Sequence, residues 1–239
     1  MMKVLLISLA SSTVRRDNAE AILKRHGISY DIIDAVDGRL GIDPLLQRYD
    51  ETGFIRHRGR KALAGELGCY ASHILAWQQV IKLDQPVVVL EDDFILRDDF
   101  CALIEVAKLW MDKHHFIRLE PWKTKLFYSV AEQNEIKLVK FLKVPQCTTG
   151  YFISPHCAQA FLNASTKMIL PVDVFIRNTY LHRQAIYGLY PAPVSPGGDK
   201  NSTIGCRKQK VMQPLVRIKK LVTRLYSSFL CALVNIISR

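Results

Sequence analysis

The sequence predicts an α/β fold that opens as a Rossmann-like sheet and ends in an amphipathic helical tail. Three observations carry this. Residues 3–38 read as strand, helix, strand. A second apolar run, Val87–Leu90, ends in three adjacent carboxylates, Glu91, Asp92 and Asp93. The last 33 residues, 207–239, hold eight Lys or Arg, no Asp or Glu, and apolar residues at helical spacing. The expected organisation is one domain over 1–206 and a basic tail over 207–239.

"KVLLISL" (3–9) is a short continuous apolar run, as expected of a parallel strand covered on both faces. "SSTVRRDNAEAILKRHGI" follows, with hydroxylated residues at a helix start and Gly27 as its stop. "SYDIIDAVDG" (29–38) is a second strand, and 41–60 reads as irregular and basic. In "GELGCYASHILAWQQVIKL" (65–83), Leu67, Tyr70, Ile74, Trp77 and Ile81 share one helical face. "QPVVVLEDD" is a third strand, followed by a helix from Asp98 or Asp99 to about Trp110. "HHFIRLEPW" is a fourth strand and "LFYSVAEQNEIKLVKFL" a hairpin. "CTTGYFISPHCAQAFLNAS" is a turn, a strand and a helix capped near Ser154. "PVDVFIRN…PVSPGG" is a helix and strand running into a Pro/Gly-rich segment.

The chain has 239 residues and a formal charge of +11, unevenly spread: residues 1–206 carry 25 cations against 22 anions. The tail holds most of the excess, which points to an anionic partner. Six cysteines lack CxxC or Cys/His ligand spacing and read as core thiols. The N-terminal apolar run is short and leads into Arg15 and Arg16, so it reads as a strand and not a leader. The expected location is the cytoplasm.

At the carboxyl edge of a parallel sheet, strand ends and loops gather ligands. Strand alternation predicts that Glu91 and Asp93 project together and Asp92 away. Paired oxygen donors suit a hard divalent cation that leaves positions open for phosphate oxygens. The same "EDD" also suits a solvated strand end before a helix cap. Likewise Asp37 suits an Asp-Gly turn, His73 a packed core ring, and Asp173 an N-cap after Pro171.

"ISLASSTVRR", "IIDAVDG", "GELGCYASHILAWQQVI", "VVVLEDDFIL", "CTTGYFIS", "PVDVF" and "KNSTIG" resemble, in order and spacing, the motifs of glycosyltransferase family 25, of the bacterial lipooligosaccharide galactosyltransferase type. The resemblance covers residues 3 to about 206. It implies a GT-A-like domain and an inverting, metal-dependent transferase that uses a UDP-sugar, galactose foremost. Glu91 and Asp93 would hold the cation, manganese ahead of magnesium. Ser8, Leu9, Arg16, Ala35, Val36, Asp37, Gly38, Ser72, His73 and Asp92 would line the donor site. Asp173 would be the general base, with Glu120 in reserve. Thr148, Thr149, Gly150 and Tyr151 would shape the sugar pocket, and Asn201 and Ser202 would close it. Arg15 is the weaker phosphate ligand on this reading, and His114 and His115 are assigned nothing.

In the tail, Leu215, Ile218, Val222, Leu225, Phe229, Leu233 and Ile236 form one stripe, with Arg217, Lys220 and Arg224 on another face. The apolar run is too short and interrupted to span a bilayer. An amphipathic helix on an anionic membrane surface is expected, holding the protein at the inner membrane beside a lipid-linked oligosaccharide acceptor. A helix packed on the body or on a partner fits the same pattern. Few cations and a large apolar face argue against nucleic acid. Two other classes share these carboxylates: a metal-dependent phosphohydrolase, and a non-catalytic UDP-sugar or membrane-binding module.

Overall fold

The computed structural model describes residues 2–123, 126–197 and 214–237. Asn201, Ser202 and the boundary at 206 lie outside the described residues. The chain begins with β1 (Val4–Ser8), α1 (Thr13–Arg25) and β2 (Tyr30–Asp34), the expected parallel unit. Gly27, at φ 65°, follows the C-cap His26 and ends α1 as its sequence position implies. The segment 41–60 is not irregular. It holds a 3-10 turn (Pro44–Arg48) and α2 (Glu51–Arg58). Asp50 caps α2 by accepting from Gly53 N–H at 2.8 Å, and Gly59 closes it at φ 74°. Only Phe54 of α2 is buried, so no apolar stripe announced it.

The long helix α3 (Ala64–Leu83) returns the chain to β3 (Val87–Glu91), which pairs in parallel with β1 on the side away from β2. Beyond it come β4 (Phe94–Leu96), α4 (Phe100–Lys108), β5 (Phe116–Arg118), the hairpin β6 (Phe127–Gln133) and β7 (Ile136–Phe141), β8 (Gly150–Ile153) and α5 (Pro155–Ala164). Ser154 caps α5, accepting from Cys157 N–H. Two short helices, α6 (Val172–Arg177) and α7 (Thr179–His182), precede β9 (Tyr187–Tyr190) and β10 (Val194–Pro196). The final helix is α8 (Pro214–Ile237).

The eight-stranded sheet runs β2-β1-β3-β8-β5-β9-β7-β6. It is mixed, not parallel throughout: β8 is antiparallel to both β3 and β5, and the β6–β7–β9 end is antiparallel. Parallel pairing holds for β1 with β2 and β3, and for β5 with β9. Two cores lie on the two faces. Leu5, Ile7, Val87 and Val89 pack with α3 and α5; Val4, Leu6, Val88 and Leu90 pack with α1 and α4. Alternate residues of one continuous apolar run thus serve opposite cores, which is why the run has no polar face.

One close approach sets the edge of the sheet. A Cβ on Gly68 of α3 would lie 2.4 Å from Val36 O and 2.6 Å from Gly38 N, and one on Gly38 would lie 1.9 Å from Ala64 O. The loop after β2 therefore rests backbone to backbone on the first turns of α3. Gly68→Ala is expected to destabilise the protein by about 1–3 kcal/mol, as overpacking does. A denaturant titration checks this, and an unchanged midpoint would refute the contact.

Candidate active site

From β1 the chain moves to β2 on one side, and from β3 it moves the other way, toward β5, so the strand order reverses between β1 and β3. The carboxyl ends of these two strands therefore bound a crevice at a topological switch point. A cleft of about 120 Å³ lies there. Its lining includes Ser8 at the end of β1 and Leu9 after it, Ser12 at the N-cap of α1 and Arg15 within α1, Ala35–Arg39 after β2, Gly65, Cys69 and Ser72 of α3, and Glu91–Asp93. Ser8, Leu9, Ala35, Val36, Asp37, Gly38, Ser72 and all three carboxylates thus come together as the sequence implied.

Two details differ. β3 ends at Glu91 and the next two residues form a turn, so strand alternation stops there and Asp92 faces the cleft with its neighbours. Asp92 accepts from Ser8 Oγ at 2.7 Å and is ion-paired with Arg15. The second concerns the arginines. Arg15 lines the cleft, whereas Arg16 donates to Ser8 O and Asp34 Oδ1, each at 2.7 Å, binding the ends of β1 and β2 together. Ser12 and Arg15 share a helix face at a spacing of three, the signal that favours Arg15. Arg39, also missed, grips Asp37 through Nε and Nη2 at 2.7 and 2.6 Å, and this hydrogen bonding holds the Asp37 carboxyl below its usual range.

Behind the cleft runs a buried relay. The Trp77 indole N–H donates to Tyr151 Oη at 2.9 Å, Tyr151 Oη meets His73 Nδ1 at 2.9 Å, and His73 Nε2 meets Glu91 Oε1 at 3.0 Å. The Glu91 carboxylate only accepts, so Nε2–H donates to it, and in the neutral ring Nδ1 is then the acceptor of the Tyr151 hydroxyl proton. Thr148 Oγ1 donates to the same carboxylate oxygen. Burial pushes the Glu91 carboxyl up, but the hydrogen bonds from His73 and Thr148 outweigh it and hold the group below its ordinary value. His73 and Tyr151 are thus fully buried supports, not lining residues. Tyr151 also stacks on Phe116 at 5.0 Å.

A second recess of about 160 Å³ adjoins the first and shares its Cys69 and Glu91. Thr148, Thr149, Cys147, Glu66 and Pro171–Asp173 complete it. Asp173 sits in the first turn of α6, its Oδ1 accepting from Val174 N–H at 2.9 Å. Of the expected sugar-pocket residues among the described ones, Thr148 and Thr149 reach this recess. Gly150 lies in the core, where a Cβ would come within 3.0 Å of Leu90 Cδ2. Glu120 lies inside as well. It is 1 % exposed, 3.1 Å from Arg118 Nη2, and its Oε1 accepts from Gly150 N–H. Burial and the Glu120 charge push the neighbouring Cys147 thiol up to about 11, so it is no nucleophile at neutral pH.

The carboxylates of the first cleft are unequally engaged. Asp37 and Asp92 have arginine partners, and Glu91 Oε1 has two donors. Asp93 Oδ1 is buried with no hydrogen-bond partner, while Arg15 stands 3.8 Å from its other oxygen. Burial, and next the Glu91 charge, push the Asp93 carboxyl up to about 6. An orphaned carboxylate oxygen beside an ionised carboxylate fits a hard divalent cation, with Glu91 and Asp93 as its oxygen donors. A softer set, the Cys69 thiol with His73 and Glu91, has its ligand atoms within 4.8 Å of one another. Both His73 nitrogens are engaged, so that set is closed in this fold.

Among curated proteins, "Inactive glycosyltransferase 25 family member 3" of Mus musculus is 35% identical over 113 residues, 43% of this chain and 18% of that protein. "Procollagen galactosyltransferase 1-A" of Xenopus laevis is 29% identical over 199 residues, 74% of this chain and 31% of its own length. "Procollagen galactosyltransferase 2" of Mus musculus is 26% identical over 196 residues, 74% of this chain and 30% of that one. The chain therefore spans less than a third of the length of these relatives. The family model described as "Glycosyltransferase family 25 (LPS biosynthesis protein)" matches residues 1–176, which include both recesses and all the carboxylates above. The chain belongs to glycosyltransferase family 25.

Proposed function

We propose that this chain is a metal-dependent, inverting glycosyltransferase. It moves a hexose, galactose foremost, from a UDP-sugar to a lipid-linked saccharide of the lipooligosaccharide or lipopolysaccharide outer core. The observation that carries the reading is the pair of adjoining recesses with Glu91 in their common wall, one rich in unevenly satisfied carboxylates and the other containing Asp173. The galactosyltransferase relatives support the donor sugar, and the family description supports the acceptor class.

In this reading the nucleoside lies along Ser8, Leu9 and Ala35–Gly38, and Arg15 turns from Asp92 toward the diphosphate. Guanidinium forks suit phosphate oxygens. Glu91 and Asp93 hold the cation, Mn²⁺ before Mg²⁺, which when bound supplies charge compensation for the departing diphosphate. Asp173, in the other recess, takes the proton of the acceptor hydroxyl as its oxygen bonds to the anomeric carbon. The bond from that carbon to the phosphate oxygen breaks on the opposite side, and its electron pair leaves with UDP. Residues Asn201 and Ser202, which lie outside the described residues, are proposed to close the pocket.

No helix among the described residues is long and apolar enough to cross a membrane. α8 exposes Ile218, Val222, Leu225, Tyr226 and Phe229, each about 60 % exposed. Such a ridge beside a basic strip suits peripheral contact with an anionic leaflet, on the cytoplasmic side of the inner membrane.

The test is calorimetric titration of the protein with UDP-galactose, with and without Mn²⁺, followed by a transfer assay on saccharide acceptors. Metal-dependent binding with turnover supports the reading. Binding without turnover favours a non-catalytic module, a reading that the inactive relatives recommend. A folded protein that binds no UDP-sugar refutes the donor site and leaves phosphate-ester hydrolysis to be assayed.

A further inference from the structure

Where α8 lies against the body it roofs a cavity of about 740 Å³, far from a mere seam between packed helices. Its floor comes from α2, the segment after β7, and α6. Six basic side chains line it: His57, Arg58, Lys143, Arg177, Lys220 and Arg224. No carboxylate does. Among the described residues Lys143, Arg177, Lys220 and Arg224 make no ion pair with an acid.

Cations drawn from four separate segments repel one another here. The cost is visible at Lys220, whose ammonium is held below its usual range by burial first, and then by Arg58, Arg224 and Arg60. A protein tolerates such crowding where a counter-ion relieves it. The remaining lining is apolar, including Leu170, Val174 and Leu225. Leu225 belongs also to the exposed ridge of α8. One occupant satisfies both chemistries, an anionic group joined to an apolar body.

We propose that the cavity between α8 and the body is a binding site for a phosphate group, the headgroup phosphate of an amphiphile whose apolar part lies along the ridge of α8. This deepens the membrane-contact reading given above and is independent of the transfer reaction. There the helix meets a charged plane; here a discrete phosphate is held by cations of both the helix and the body, joining the two. Arg and Lys donors converging from several segments are a usual means of phosphate capture.

The test uses the full chain and two probes: inorganic phosphate by calorimetry, and flotation with phosphatidylcholine vesicles with and without phosphatidic acid. Three variants are compared. Lys220→Glu/Arg224→Glu changes cavity cations on α8. Arg58→Gln changes one on the body and leaves α8 intact. Arg217→Glu/Lys219→Glu changes cations of the same helix that do not line the cavity. The expected result is saturable phosphate binding, and vesicle binding that requires phosphatidic acid. Both are weakened about tenfold or more by the first two variants, whereas the third leaves phosphate binding little changed and weakens vesicle binding less than they do. Phosphate binding with no vesicle binding keeps the cavity and removes the lipid as its source. Equal loss in all three variants, or no phosphate effect in any, overturns the site. In the case of equal loss, diffuse attraction of the tail to the leaflet survives. UDP-galactose binding, measured alongside, is expected to be unchanged throughout, so the donor site stands or falls separately.

Discussion

Asp93→Asn is expected to raise the thermal stability of the metal-free protein at neutral pH while removing metal-dependent binding of UDP-galactose. The two effects share one cause. Asp93 is pushed up to about 6, from the ordinary aspartate value, by burial and by Glu91. The folded chain therefore binds this proton more tightly than the unfolded chain does. Stability from Asp93 is complete below the unfolded pKa, and it is lost as pH rises through about 6. Above that, a charged carboxylate with a buried, partnerless oxygen strains the metal-free fold. Asparagine copies the protonated form at every pH. Its gain should therefore appear at neutral pH, on the order of 1–2 kcal/mol after allowance for the 33 % exposure of the side chain, and vanish below about pH 4. Thermal melts at several pH values, paired with donor titration, measure both halves. A variant that is less stable at neutral pH, or one that still binds donor in a metal-dependent manner, would exclude Asp93 as a ligand. Donor binding by the unaltered protein should weaken as pH falls through about 6.

Asp173→Asn is expected to lower kcat by about 10²–10⁴-fold, the usual contribution of a positioned general base. The amide oxygen can still accept from Val174 N–H, so the start of α6 is preserved. Donor affinity should remain within about twofold, because Asp173 lies in the second recess and not among the residues of the first. Steady-state rates beside calorimetry separate these quantities. Glu120→Gln provides the contrast. Its carboxylate faces Arg118 inside the fold, so the substitution should act mainly on stability. A kcat loss confined to the Glu120 variant would reverse the assignment.

Much of this site was legible because backbone topology does the placing. A strand–helix–strand unit fixes where Ser8, Asp37 and Glu91 must end up, whatever their side chains do. What failed were questions of orientation within a turn. Asp92 and Arg15 differ from their neighbours by about one residue of rotation, which a strand or helix period predicts only while the element continues. The mixed sheet was hidden for another reason. β8 is as apolar on both faces as a parallel strand, so its direction left no mark on its composition. α2 was masked by exposure, since a helix with a single buried residue carries no stripe. Glu120 looked available because a sequence shows the acid and not its burial, which turns it onto Arg118 two residues before it.

The relay from Trp77 through Tyr151 and His73 to Glu91 also bears on how a saturation mutagenesis experiment would read. Trp77, Tyr151 and His73 are each at most 1 % exposed and touch no cleft. Even so, Tyr151→Phe would leave the fold standing and release the tautomer that holds Glu91 in the wall between the two recesses. Ranked by loss of function, these core aromatic residues would stand among the substrate-binding positions. Ranked by abundance, conservative changes such as Tyr151→Phe would not, although truncation of Trp77 would cost the core itself. The gap between the two rankings would map how far the support of Glu91 extends behind the cleft into the hydrophobic interior.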